Sequence, residues 1–112
     1  PMYMSSWGNS LGDPMGVLNP NLQTYDKKKR RGRANRGRYS NKAFDAVVDL
    51  AAVEVDTKKR EALYQKALKM AMDDFAMLPI VFWVYSWGTS PELKYIPRLD
   101  QYTLATAVRP AK

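Results

Sequence analysis

Neither cysteine nor histidine occurs among the 112 residues. Without cysteine the chain forms no disulfide, carries no thiolate nucleophile and offers no thiolate to a metal. The missing histidine also excludes Ser-His-Asp and Cys-His arrangements and imidazole-ligated metals. Absent cysteine is neutral on compartment, since exported proteins often lack it too. No run approaches the roughly 18 continuous apolar residues of a membrane-crossing helix. No glycine-rich phosphate loop leads into Lys-Ser or Lys-Thr, and no internal repeat is visible. Asp45 and Asp49 share a helix face at i, i+4, but with Lys42 and Glu54 nearby the expectation is a hydrated surface. Asp73 and Asp74 are expected to splay apart on a helix. The reading is therefore of a protein that binds rather than catalyses, with no cofactor and no metal.

Acids are also missing from one stretch. Residues 27–38 hold eight of the eighteen basic residues and no Asp or Glu. The other ten basic residues face eleven acidic ones, so the formal charge of +7 is local to this stretch. Its glycines and mutual repulsion predict a mobile loop without a packed core. The remainder is rich enough in apolar and aromatic residues for globular packing: 46% apolar, with three Trp, seven Tyr and three Phe. A chain of this length is expected to bury one modest core.

Residues 40–87 organise the chain as helix, turn, helix and strand. Phe44, Val47, Val48, Ala51 and Val55 recur at helical spacing, with Ser40 or Asn41 placed to cap the start. A second helix starts at Asp56 or Thr57, with Leu63, Tyr64, Ala67, Leu68, Ala71 and Phe75 inward, and Pro79 is expected to end it. Residues 80–85 are β-branched and aromatic throughout, predicting a strand covered on both faces. Trp83, Tyr85 and Trp87 share one strand face, and Trp83 is expected in the core. Met70, Met72 and Met77 are expected to fill packing gaps.

Upstream, residues 2–7 read as a strand, followed by a turn-rich loop. Asp13-Pro14 suits a helix start, and Asn19-Pro20 is expected to stop that helix. Downstream, residues 93–98 and 102–108 each predict a short strand.

The order Tyr-Ser-Asn, aromatic-Asp-x-Val-Val-Asp, Asp-x-x-Lys-Arg, Leu-Tyr-Gln-Lys-Ala, Leu-Pro-Ile and an aromatic strand resembles the C-terminal part of family 5 extracellular solute-binding proteins. These are the dipeptide- and oligopeptide-type receptors of ABC importers. The resemblance runs from about Met4 to Pro110. It implies a fragment of an α/β, two-lobed, type II periplasmic-binding-protein-like fold, with two helices packed against a mixed sheet. Residues 1–88 would belong to the C-terminal lobe and 89–112 would return toward the first lobe. A start at Pro1 fits a truncated or processed product, with any signal sequence lying upstream. The implied location is periplasmic or extracellular, the implied partners a small solute and a membrane permease. Apolar faces meant for absent segments would make the isolated chain self-associate.

The resemblance also implies a site. In peptide-binding members the loop after the first strand lines the cleft, and Trp7, Asp13 and Pro14 stand at the matching spacing. The aspartate that pairs with a peptide's α-amino group corresponds here to Ser10. A hydroxyl can hydrogen-bond an ammonium but cannot neutralise it. Either a nearby carboxylate substitutes or the ligand is neutral. Asn35 lies on a loop approaching the cleft, and Trp87 beside the lobe crossing. Trp7, Ser10, Asp13, Asn35 and Trp87 are thus the expected ligand-binding residues. Each has a plainer reading: Trp7 as core, Asp13 as a helix cap, Ser10 as a turn residue.

The competing reading is nucleic-acid binding through residues 27–38, whose cations and glycines suit a phosphate backbone and which Tyr25 and Tyr39 flank. Against it, the run lies in a loop rather than on a helix face, and the aromatics are not interleaved with the charges.

Overall fold

A computed structural model describes residues 3–10, 12–98 and 100–112. The chain divides into two compact units, Pro1–Pro79 and Ile80–Lys112.

In the first unit, α1 (Met15–Val17) runs directly into a π-helical turn, Leu18–Leu22. The predicted stop at Asn19-Pro20 does not occur. The wider turn is closed by the Gln23 amide donating to the Leu18 carbonyl at 3.1 Å, a bond that needs nothing from the proline nitrogen. Leu18, Pro20 and Leu22 are thereby buried.

The two long helices follow the sequence pattern closely. α2 spans Lys42–Val53, and Asn41 caps it by accepting from the Ala43 and Phe44 amides. α3 spans Thr57–Asp73, with the Asp56 carboxylate accepting from the Lys59 amide. Phe44, Val48 and Ala51 of α2 meet Tyr64, Ala67 and Ala71 of α3 and the leucines of the π-turn in a single core. The alanines of α3 let the two backbones approach, while Phe44 fills the gap and meets Tyr39 edge-on at 5.6 Å. Met70 and Met77 pack against this core, whereas Met72 stays largely outside.

Three stripe residues depart from expectation. Leu68, expected inward, lies outside the core and is 36% exposed. Val55 is 92% exposed because α2 ends at Val53. Phe75 is 78% exposed because α3 ends at Asp73, well before Pro79. The end is a left-handed reversal: Phe75 takes φ 51° and the Ala76 amide bonds back to the Ala71 carbonyl at 2.9 Å. Glycine usually occupies that position, so no sequence signal announced the stop.

Residues 27–38 are not a mobile loop. A hairpin closes on reciprocal backbone bonds between Asp26 and Arg31, both 3.1 Å. The Gly32 and Ala34 amides then bond the Asn19 and Pro20 carbonyls. Gly32 sits at φ 65°, and a Cβ there would lie 2.4 Å from the Gln23 carbonyl oxygen, so only glycine fits.

The second unit holds a two-stranded antiparallel ladder, β1 (Leu93–Tyr95) against β2 (Val108–Pro110), with Tyr95 opposite Val108. A 3₁₀ turn, Ala105–Ala107, leads into β2. Of the expected strands 93–98 and 102–108, only the first half of one and the last residue of the other are in ladders. Helix with a small sheet is compatible with an α/β class. Among the described residues the sheet is antiparallel rather than mixed, and α2 and α3 pack on each other and on the π-turn.

The expected strand 80–85 forms no ladder and is not covered. Phe82 is 93% exposed and Trp83, expected in the core, 66%. The composition favours β structure, but a strand needs a neighbouring strand to bond, and none among the described residues pairs with this one. Described residues 3–7 are likewise outside any ladder; Met2, where that expected strand begins, lies outside the described residues. No helix among the described residues is long and apolar enough to cross a membrane.

Candidate ligand-binding cleft

Three hydrogen bonds fix Trp7 and Asp13 to α1 and α3, and a fourth joins Asn9 to Asp13. The Trp7 indole N–H donates to the Gly16 carbonyl at 2.8 Å, and the Asn9 amide donates to the Asp13 carbonyl at 2.7 Å. Asp13 Oδ1 accepts twice, from the Met15 amide at 2.8 Å and from the Tyr64 hydroxyl at 3.0 Å. Asp13 therefore caps the short helix, as its plainer reading held, and also ties it to the middle of α3. Burial, reinforced by the neighbouring Asp13 carboxylate, raises the Tyr64 phenol above its ordinary value.

This attachment leaves an open cleft of about 300 Å³. Asp13 and Pro14 form one wall; Thr57, Arg60, Glu61 and Tyr64 form the other. The α3 residues follow i, i+3, i+4, i+7 spacing, so one helix face presents a hydroxyl, a guanidinium, a carboxylate and a phenol together. Two carboxylates and one guanidinium around a solvent-filled space can hold a small ligand bearing both charges. The volume is at the small end for such sites. The sequence signal for this wall is a polar i, i+3, i+4, i+7 stripe that adjoins the apolar one and shares Tyr64 with it.

The expected site residues do not all come together. Trp7 and Asp13 belong to the same loop-and-helix junction, with Trp7 partly exposed. Ser10 lies on an exposed turn between them. Asn35 is elsewhere and engaged: its amide donates to the Gln23 and Tyr39 carbonyls at 3.0 and 2.7 Å, and its oxygen accepts from the Tyr39 amide at 3.0 Å. It is buried, and both hydrogens of its amide are committed, so it has no donor left for a ligand. Trp87 lies in the second unit, between the rings of Tyr85 and Tyr95 at 6.1 and 5.8 Å, its indole N–H on Thr103 Oγ1.

Of the Asp45–Asp49 pair, Asp49 is exposed as expected but Asp45 is not. Asp45 is 6% exposed. Its Oδ1 accepts from the Thr24 amide at 2.9 Å, while Asp49 Oδ1 accepts from the buried Gln23 amide at 2.8 Å. Arg31 reaches both carboxylates, at 3.5 Å to Asp45 and 2.9 Å to Asp49. One of the eight cations of the basic run is thus spent on fixing the hairpin to α2.

No family model, no curated protein and no solved structure matches this chain.

Proposed function

We propose that this chain is part of a ligand-binding receptor for an ABC importer, capturing a peptide or another small solute between two lobes and delivering it to a membrane permease. The order of sequence motifs supports this reading. The observation that carries it is the cleft in which Gly12, Asp13 and Pro14, held by the Asp13–Tyr64 bond, face Arg60 and Glu61 of α3. Asp13, Arg60 and Glu61 would contact the ligand, with Thr57 as a hydroxyl partner. Binding, not covalent chemistry, is the activity, and the setting is periplasmic or extracellular. In the finer fold reading, the two helices belong to one lobe of a type II binding protein and the segment near residues 88–91 to a crossover.

Native mass spectrometry tests this on the polypeptide carrying this sequence, purified gently from its host. Co-purifying masses spaced by amino-acid residues identify a peptide receptor, with Asp13 or Glu61 holding the amine that Ser10 cannot neutralise. One discrete non-peptide mass identifies another solute. Protein that carries no small molecule, before and after incubation with peptide and sugar mixtures, overturns the receptor reading.

A further inference from the structure

Seven of the eight cations in residues 27–38 remain on the surface once Arg31 has turned inward. Lys27, Lys28, Lys29 and Arg30 form the tip of the hairpin, and Arg33, Arg36 and Arg38 follow in the segment behind it. None of the seven forms an ion pair among the described residues. The one acid at the base of the tip is occupied: Asp26 Oδ1 accepts from the Lys29 amide at 3.0 Å.

Holding like charges together costs folding energy, and a flexible loop would let them spread. This one cannot. The Asp26–Arg31 bridge closes the tip, the Gly32 and Ala34 amides fasten the next segment, and the buried Asn35 side chain fixes the return to Tyr39. The backbone is thus built to present a compact positive knob.

We propose that this knob docks the protein on an anionic lipid surface, through headgroup phosphates. Three features favour a bilayer over a nucleic acid. Single-strand binders pair their cations with a row of free aromatic faces. Here two exposed aromatics adjoin the run, too few for such a row: Tyr3, whose ring lies against Gly37, and Tyr25, whose ring the Arg38 guanidinium already covers at 5.1 Å. Duplex readers insert a helix or a two-stranded ribbon into a groove, whereas this hairpin has one bridge and a blunt tip. A convex cluster with no apolar residue at its tip suits a flat charged surface and adsorbs without inserting. The inference does not depend on the cleft, and either can fail alone.

Co-sedimentation with vesicles tests it. The protein should bind phosphatidylcholine vesicles containing roughly one-third phosphatidylglycerol, not phosphatidylcholine alone, and should release at about 1 M salt, where the screening length is about 3 Å. The variant K27Q/K28Q/K29Q/R30Q should lose binding by about fivefold per cation removed. The charge-matched control K42Q/K58Q/K94Q/K112Q should retain it. Circular dichroism melts confirm that both variants fold. Equal loss in both variants would show that net charge, not the knob, is responsible, and would overturn the proposal. So would equal capture by neutral vesicles, or tighter binding to single-stranded RNA than to anionic vesicles at the same salt.

Discussion

The guanidinium of Arg31 lies 2.9 Å from the Asp49 carboxylate and 3.5 Å from that of Asp45, joining the most basic stretch of the chain to the first long helix. Its side chain is nearly covered, as is that of Asp45, while Asp49 stays half open to water. Removing the cation leaves Asp45 buried without its partner. Arg31→Gln should therefore destabilise the first unit by about 2–3 kcal/mol, somewhat below the usual cost of breaking a fully buried pair because Asp49 can still hydrate. A urea titration followed by circular dichroism measures it. Pairing the change with Asp45→Asn should recover part of the loss, and strict additivity would show the two residues do not interact.

Gly32→Ala tests the hairpin backbone. The added methyl would meet the Gln23 carbonyl and the Tyr25 backbone, and φ 65° is unfavourable for any side chain. Neither neighbour is a flexible tip that can swing away. A loss of at least ~2 kcal/mol is expected by the same titration.

Tyr39 should titrate well above the ordinary tyrosine value. Burial, followed by its 2.6 Å hydrogen bond to the Asp74 carboxylate, pushes its phenol up to about 12. The folded state thus holds a proton that the unfolded chain releases near 10. Stability from this group is fully present below pH 10 and is lost as pH rises from 10 to about 12. Phenolate absorbance follows the ionisation directly. Asp74→Asn should lower the Tyr39 value without restoring it to 10, because burial remains. Asp74 itself is held below the usual carboxylate range by Tyr39 and Asn41, so its contribution disappears as pH falls through that lowered value.

Phe75→Gly should stabilise the protein. The phenyl ring is mostly in water, while the backbone it occupies suits glycine. Relief of the left-handed strain is worth about 1–2 kcal/mol, offset in part by the greater freedom of glycine in the unfolded chain. A net gain of roughly 0.5–1 kcal/mol should appear as a higher melting temperature.

Residues 80–85 should drive self-association. They combine β-branched and aromatic side chains, no charge and no proline, and their amides take no part in backbone hydrogen bonds among the described residues. Light scattering at rising concentration should show a dimer or larger assembly, favoured by salt that screens the charge of +7. Phe82→Lys with Val84→Lys should return the chain to monomer. A monomer at high concentration without those changes contradicts the expectation.

What the sequence by itself determined are features set by near neighbours along the chain. The two helices, their caps at Asn41 and Asp56 and the buried positions Phe44, Val48, Ala67 and Ala71 follow from helical spacing and short polar side chains, so they were readable in advance. The left-handed stop at Phe75 was not, because the residue there is the wrong one for the signal. Tertiary structure alone decided the roles of polar groups. Charge and composition made the 27–38 run look mobile and Asp45 look hydrated. Whether a charge is solvated or buried depends on what meets it from distant sequence, here Arg31 across eighteen residues from Asp49 and Asp13 across fifty-one from Tyr64. The cleft has the same origin: the stripe from Thr57 to Tyr64 lies along one helix, but its opposing wall comes from the Asp13 loop. Residues 80–85 show the converse limit, since their composition specifies a strand while the hydrogen-bonding partner a strand requires must come from elsewhere.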